Sequence, residues 1–77
     1  MDSGRMVERI WWNGANGDES AAPGEHQHMV TLNEYHGEYD VDWVLLVDGN
    51  GHEMARYNTR YLASIVWATK ENPHDRP

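Results

Sequence analysis

Trp-Val-Leu-Leu-Val-Asp-Gly-Asn-Gly-His-Glu-Met-Ala-Arg-Tyr, residues 43–57, is the stretch around which the remainder of the chain is arranged. Residues 43–47 form the longest apolar run and carry the branched and aromatic side chains that suit a pleated, buried surface. Asp48-Gly49-Asn50-Gly51 follows at once, and these residues tolerate the positive φ that a tight reversal needs. Residues 52–57 then read as the returning strand. A β-hairpin in mid-sequence is the first expectation.

Working outward on the N-terminal side, residues 41–48 are the central strand, and residues 28–35 alternate as its neighbour. That alternation places Val30 and Leu32 inward and Thr31 and Asn33 outward. Between the two strands, residues 36–40 make a turn that carries Tyr39 among acids. Residues 5–12 are a further strand, with Met6, Glu8, Ile10 and Trp12 on one side and Val7, Arg9 and Trp11 on the other. Residues 13–27 hold two Asn-Gly pairs and a Pro-Gly and follow neither a helical nor a strand period. They are expected to be one long flexible loop. Residues 1–4 read as a disordered start and 70–77 as a polar tail, leaving a single small β-rich domain over 5–69.

On the C-terminal side the pattern supports two readings. Asn58 and Thr59 can cap a helix over 59–71, with Leu62, Ile65, Val66 and Thr69 on one face. Alternatively residues 58–62 are a 3₁₀ turn and 64–69 a last strand with Ile65 and Trp67 inward. The β-branched and aromatic content favours the strand. The fold class is then mainly β: a small five-stranded antiparallel sheet or half-open barrel. The alternative is a four-stranded sheet with a C-terminal helix.

Thr59-Arg60-Tyr61-Leu62-Ala63-Ser64-Ile65 resembles the Ser-Asn-Tyr-Val turn and last strand of SH3-like barrels, and Trp11-Trp12-Asn13-Gly14 looks like their Trp-Trp pair. The acidic-aromatic first strand of those domains is missing. The resemblance therefore implies fold class alone.

A domain of 77 residues buries only about 60% of the surface its unfolded chain exposes. With no cysteine, neither a disulfide nor a thiolate metal site can staple it. Four Trp and four Tyr offer large buried areas instead, and a homodimer is the other means of compensation. Trp43, Trp67 and Tyr57 are expected in the core. No apolar run approaches the length of a membrane span, and the expected location is cytoplasmic, in a host cell if the chain is phage-encoded.

Charge is distributed unevenly. Between Arg9 and Arg56 there is no Lys or Arg, while Asp18, Glu19, Glu25, Glu34, Glu38, Asp40, Asp42, Asp48 and Glu53 all fall there. Such an interval either solvates a small protein or steers it toward a basic partner. Direct nucleic-acid binding is disfavoured, because that needs clustered bases.

Chemical motifs are weak. His26-Gln27-His28 would put two imidazoles on one side of a strand, with Glu25, His36 or His52 to complete a zinc site, but no second ligand pair has a fixed spacing. Residues 48–53 begin like a calcium loop, yet Glu53 stands where its Gly belongs and Thr59 where its Glu belongs. Ser20 and Ser64 lie in no nucleophile pattern, and residues 13–17 lack the Lys of a phosphate loop. No catalytic residue, metal or cofactor is assigned, and a non-enzymatic role is expected.

The expected binding surface is acidic and aromatic: Trp12, Glu34, Tyr35, Glu38, Tyr39, Asp40 and Asp42. Its partner would be a protein with a basic surface. Four histidines, His26, His28, His36 and His52, lie in the acidic interval and are expected to make that binding pH-dependent. By analogy, short acidic domains of this kind are often phage or mobile-element inhibitors of nucleic-acid-handling proteins, some of them DNA mimics. The competing expectations are an oligomeric protein that binds or sequesters a small ligand, and a subunit whose role is assembly.

Overall fold

The structure, a computed structural model, describes residues 3–68. It contains six strands, β1 (Met6–Gly14), β2 (Gly17–Ala21), β3 (His28–Tyr35), β4 (Asp40–Val47), β5 (Glu53–Asn58) and β6 (Ser64–Trp67), with one 3₁₀ turn at Thr59–Tyr61. All pairings are antiparallel, in the order β2-β1-β3-β4-β5, and β6 joins β1. The sheet curls into a half-barrel. The helix considered over 59–71 does not form, because Ser64–Trp67 pairs with β1 and leaves only Thr59–Tyr61 as a helical turn. No helix of the described residues is long and apolar enough to cross a membrane.

The central hairpin closes through two backbone hydrogen bonds, Asp48 amide to His52 carbonyl and Gly51 amide to Asp48 carbonyl, and through one side chain. Asp48 Oδ1 accepts hydrogen bonds from the amides of Asn50 and His52, each at 2.9 Å, and Gly51 takes a φ of 82°. The aspartate thereby satisfies two turn amides that β4 and β5 leave over. Asp48→Ala should lower stability by about 1–3 kcal/mol, whereas Asn50→Ala, which removes no such acceptor, should change it little. Thermal melts of the two variants side by side check this.

Three expectations are corrected here. First, residues 13–27 are not one loop. Gly14 pairs with Gly17 around a two-residue turn, and β2 runs back along β1 until Ala21 faces Ile10. The polar strand Gly-Asp-Glu-Ser-Ala has no hydrophobic period to announce it. It forms because the turn fixes its register and β1 offers a free edge. Second, the start is ordered from Ser3, whose hydroxyl accepts from the Asn33 amide at 2.9 Å, while the Gly4 amide donates to the Thr31 carbonyl at 2.8 Å. Met1, Asp2 and the 70–77 tail lie outside the described residues.

Third, two strands carry a different phase. In β1 the partner of Val7 is Trp67 and the partner of Arg9 is Val66, so Glu8 is an extra residue in a β-bulge. The bulge brings Val7 and Ile10 onto one side, and both are buried. In β3 the inward residues are Met29 and Thr31, not Val30 and Leu32. Met29 faces Val7 across the β1–β3 pairing, which draws it under the core. Buried Thr31 is tolerable because its hydroxyl accepts from the Arg5 amide at 3.0 Å. Val30 and Leu32 turn to the outer face, opposite Leu45 and Trp43.

Val7, Ile10, Met29 and Val44 form the core, with Trp12, Leu46, Tyr57, Leu62, Ile65 and Trp67 packed around them. Each fully buried aliphatic contributes about 1.5–3 kcal/mol of transfer free energy. Tyr57 and Trp67 are where the sequence places them. Trp43 is not: neighbouring Val44 points inward, so Trp43 must point outward.

Candidate functional site

The β3–β4 hairpin runs without interruption from the His28–Val47 pair to the Tyr35–Asp40 pair. Its turn therefore projects at one end of the sheet. Gly37, with a φ of 88°, supplies the reversal, and the His36 amide closes the turn onto the Tyr39 carbonyl at 2.9 Å. The Tyr35 hydroxyl donates to the Gly37 carbonyl at 2.6 Å, and the His36 ring stacks on Tyr39 with centroids 5.7 Å apart. These contacts hold a short turn in one shape. They also keep its two tyrosines in solvent, 70% exposed at Tyr35 and 61% at Tyr39.

The seven expected binding residues separate into two groups. Tyr35, Glu38, Tyr39 and Asp40 are exposed together on this turn. The other three have internal duties. Glu34 accepts from the Trp43 indole at 3.0 Å, stands 3.5 Å from the Arg56 guanidinium and lies 3.4 Å from His36. Asp42 accepts from the Asn33 side-chain amide at 2.8 Å. Trp12 is half-buried against Tyr57, ring centroids 5.7 Å apart, and its indole donates to Glu19 at 3.1 Å.

Arg56 changes the electrostatic picture. The acidic interval ends at this residue in sequence, yet in space its side chain folds back over the interval. It sits 5.0 Å above the Trp43 ring, grips Glu53 through two hydrogen bonds of 2.7 Å and reaches Glu34. The hydrogen bond from Arg56 holds the Glu53 carboxyl below the usual carboxylate range, and the same contact raises the guanidinium further. One guanidinium thus offsets one of the two negative charges of Glu34 and Glu53. Among the described residues Glu38 and Asp40 form no ion pair, and they add two negative charges to this end.

Beside the turn runs an open groove of about 660 Å³. Tyr39, Asp40, Asp42 and Trp43 line one side, Asn58 and Arg60 the other. Asn58 also borders a smaller hollow of about 300 Å³ formed by Trp12, Tyr57, Tyr61 and Leu62. Arg60 and Asn58 were not legible as site residues. Arg60 lies in the 3₁₀ turn and Asn58, the last residue of β5, caps it, and the turn comes against β4 only through the β4–β5 pairing.

The histidines divide in the same way. His36 is on the turn. His28 pairs with Val47 at the opposite end of the hairpin, His52 lies 3.8 Å from Asp48 there, and the backbone of His26 abuts Gly49. Only His36 is placed to affect the acidic turn. No three His, Asp or Glu of the described residues converge as metal ligands.

Comparison with protein families, with curated proteins and with solved structures finds no match.

Proposed function

We propose that this chain is a small non-enzymatic binding protein that docks its β3–β4 turn onto a basic surface of a partner protein. The observation that carries the reading is the exposure of Tyr35 and Tyr39 beside Glu38 and Asp40, which form no ion pair among the described residues. Rigid aromatic rings supply contact area at low entropic cost, and the carboxylates steer approach and fix orientation. A base-stacking role would want cations beside those rings instead. The form of this reading that uses every feature is an inhibitor occupying the nucleic-acid groove of a host protein, with Glu38 and Asp40 where phosphates sit.

Capture from a host lysate on the immobilised chain, washed at low and then high salt, tests the proposal. A basic protein retained in stoichiometric amount and released by salt supports it. Equal retention by a chain carrying Tyr35→Ala and Tyr39→Ala, or no retention at all, sinks it.

A second reading has one observation in its favour. The hollow between Trp12, Tyr57 and Tyr61 is walled by rings and, at about 300 Å³, falls at the lower end of small-ligand sites. It lies within one chain rather than between subunits.

A further inference from the structure

We propose that the outer edge of β6 is a self-association edge, on which a second copy of this chain pairs antiparallel through its own β6. Three strands end the sheet, because β2, β5 and β6 each pair with a single neighbour among the described residues. Unpaired edges expose rows of amide and carbonyl groups, and proteins that stay monomeric blunt them with charge, bulges or cover. Two of the three edges are blunted in this way. β2 carries Asp18 and Glu19. β5 carries Glu53 and Arg56 and is broken by a bulge at Met54, since Leu46 faces Ala55 while Val47 faces Glu53.

β6 carries none of these devices in its own residues, and the one cation resting on it, the Arg5 guanidinium 3.8 Å from the centre of the Trp67 ring, lies on the face that packs against the core rather than along the edge. Ser64-Ile65-Val66-Trp67 contains no charge and no proline, and the bulge in its pairing lies on β1. Its outward side chain Val66 is 40% exposed, and next to it on the outer face of β1 Trp11 is 37% exposed. A two-fold axis perpendicular to the sheet keeps both cores on the same side. Ile65 then meets Ile65 or Trp67 of the second copy, and Val66 meets Val66 or Ser64. Every register of these four residues is free of charge, and the Val66 side chains of the two copies come together on the outer face.

The electrostatics agree. The charged side chain facing Val66 is Arg9, on the next strand inward. Two Arg9 residues would lie three strand spacings apart, about 14 Å, which exceeds the screening length of about 8 Å at physiological salt. The acidic turn after β3 begins five residues beyond Val30, where β3 leaves β1. That is about 17 Å along the strand, so the strongest like charges are kept away from the axis. Four residues per copy make a small interface, and the association is therefore weak and concentration-dependent.

Sedimentation velocity on the full chain from about 10 μM to 1 mM spans the expected range of a weak dimer. The mass should rise toward twice the monomer with concentration, and further at higher salt, because screening relieves repulsion between two acidic chains. That sign is opposite to the one expected for binding a basic partner. Val66→Glu places a carboxylate opposite Arg9, which accommodates it within the fold, but sets like charges against each other across the axis. This variant should remain monomeric throughout, while Met54→Glu on the β5 edge should dimerise as the native chain does. A native chain monomeric at every concentration, or a Val66→Glu chain that dimerises equally, overturns the proposal. Neither result bears on Glu38 and Asp40, so failure here is distinguishable from failure of the partner-binding reading.

Discussion

Met29→Ala should lower the free energy of unfolding by about 2–5 kcal/mol, and Val30→Ala, one residue away, by less than about 1 kcal/mol. Met29 is fully buried, under Val7 of β1 and beside Leu46 of β4. Truncation there loses the transfer free energy of the thioether chain and leaves a cavity that a rigid four-residue core cannot close. Val30 is half-buried on the outer face next to Leu45, where water can replace part of what is removed. A small domain has about 5–10 kcal/mol in all, so the first substitution can empty the native state at moderate temperature. Urea titration followed by Trp fluorescence reads both midpoints, and an unchanged slope confirms that stability rather than compactness has moved. Equal losses at the two positions would mean that both faces of β3 are core, against the phase described above.

The same pair of residues shows where sequence reasoning loses its hold. Alternation of apolar and polar side chains tells that 28–35 is a strand, because a period of two has no other common cause. It does not tell which face is inward when both faces carry apolar groups. Val30 and Leu32 are the more hydrophobic set, yet Met29 and Thr31 are drawn inward by the register with β1 and by the Arg5 amide that satisfies the threonine. Strand β1 fails for a related reason. A single extra residue at Glu8 shifts the phase, and a bulge is set by the partner strand rather than by composition.

The strands and turn of the central hairpin were legible, because Asp48 and Gly51 act locally, but the outward Trp43 and the bulge at Met54 were not. β2 was not, since a polar edge strand forms on an edge already present. The candidate site follows the same rule. Tyr35, Glu38, Tyr39 and Asp40 share a short turn, so their proximity is written in the chain. The duties of Glu34 and Asp42, the retreat of Trp12 and the arrival of Arg60 depend on strands brought together from elsewhere.

Reversal of charge at the turn, Glu38→Lys with Asp40→Lys, should weaken binding to the basic partner about tenfold or more at physiological salt. The loss should appear mainly in the association rate, since exposed charges steer encounter more than they hold the complex. It should shrink as salt rises, because the screening length falls from about 8 Å at physiological salt to about 3 Å at 1 M. Tyr39→Ala should act in the other way, raising the dissociation rate with little dependence on salt, because a desolvated ring holds a contact already made. Glu38, Tyr39 and Asp40 are exposed and neither carboxylate belongs to an ion pair of the described residues, while Tyr39→Ala also gives up the stack with His36. Asp42→Asn is the contrast. It keeps an acceptor for the Asn33 amide, removes one charge from the groove and should change the association rate only modestly. If the double reversal leaves both rates unchanged while Tyr39→Ala abolishes binding, the surface is aromatic and its acidity serves solubility alone. If the reversal alone acts, the tyrosines are bystanders and the partner is recognised by its field. Only the combination, a salt-dependent association rate and a salt-independent dissociation rate on one turn, marks a site that recognises a basic protein surface by charge and holds it by its rings.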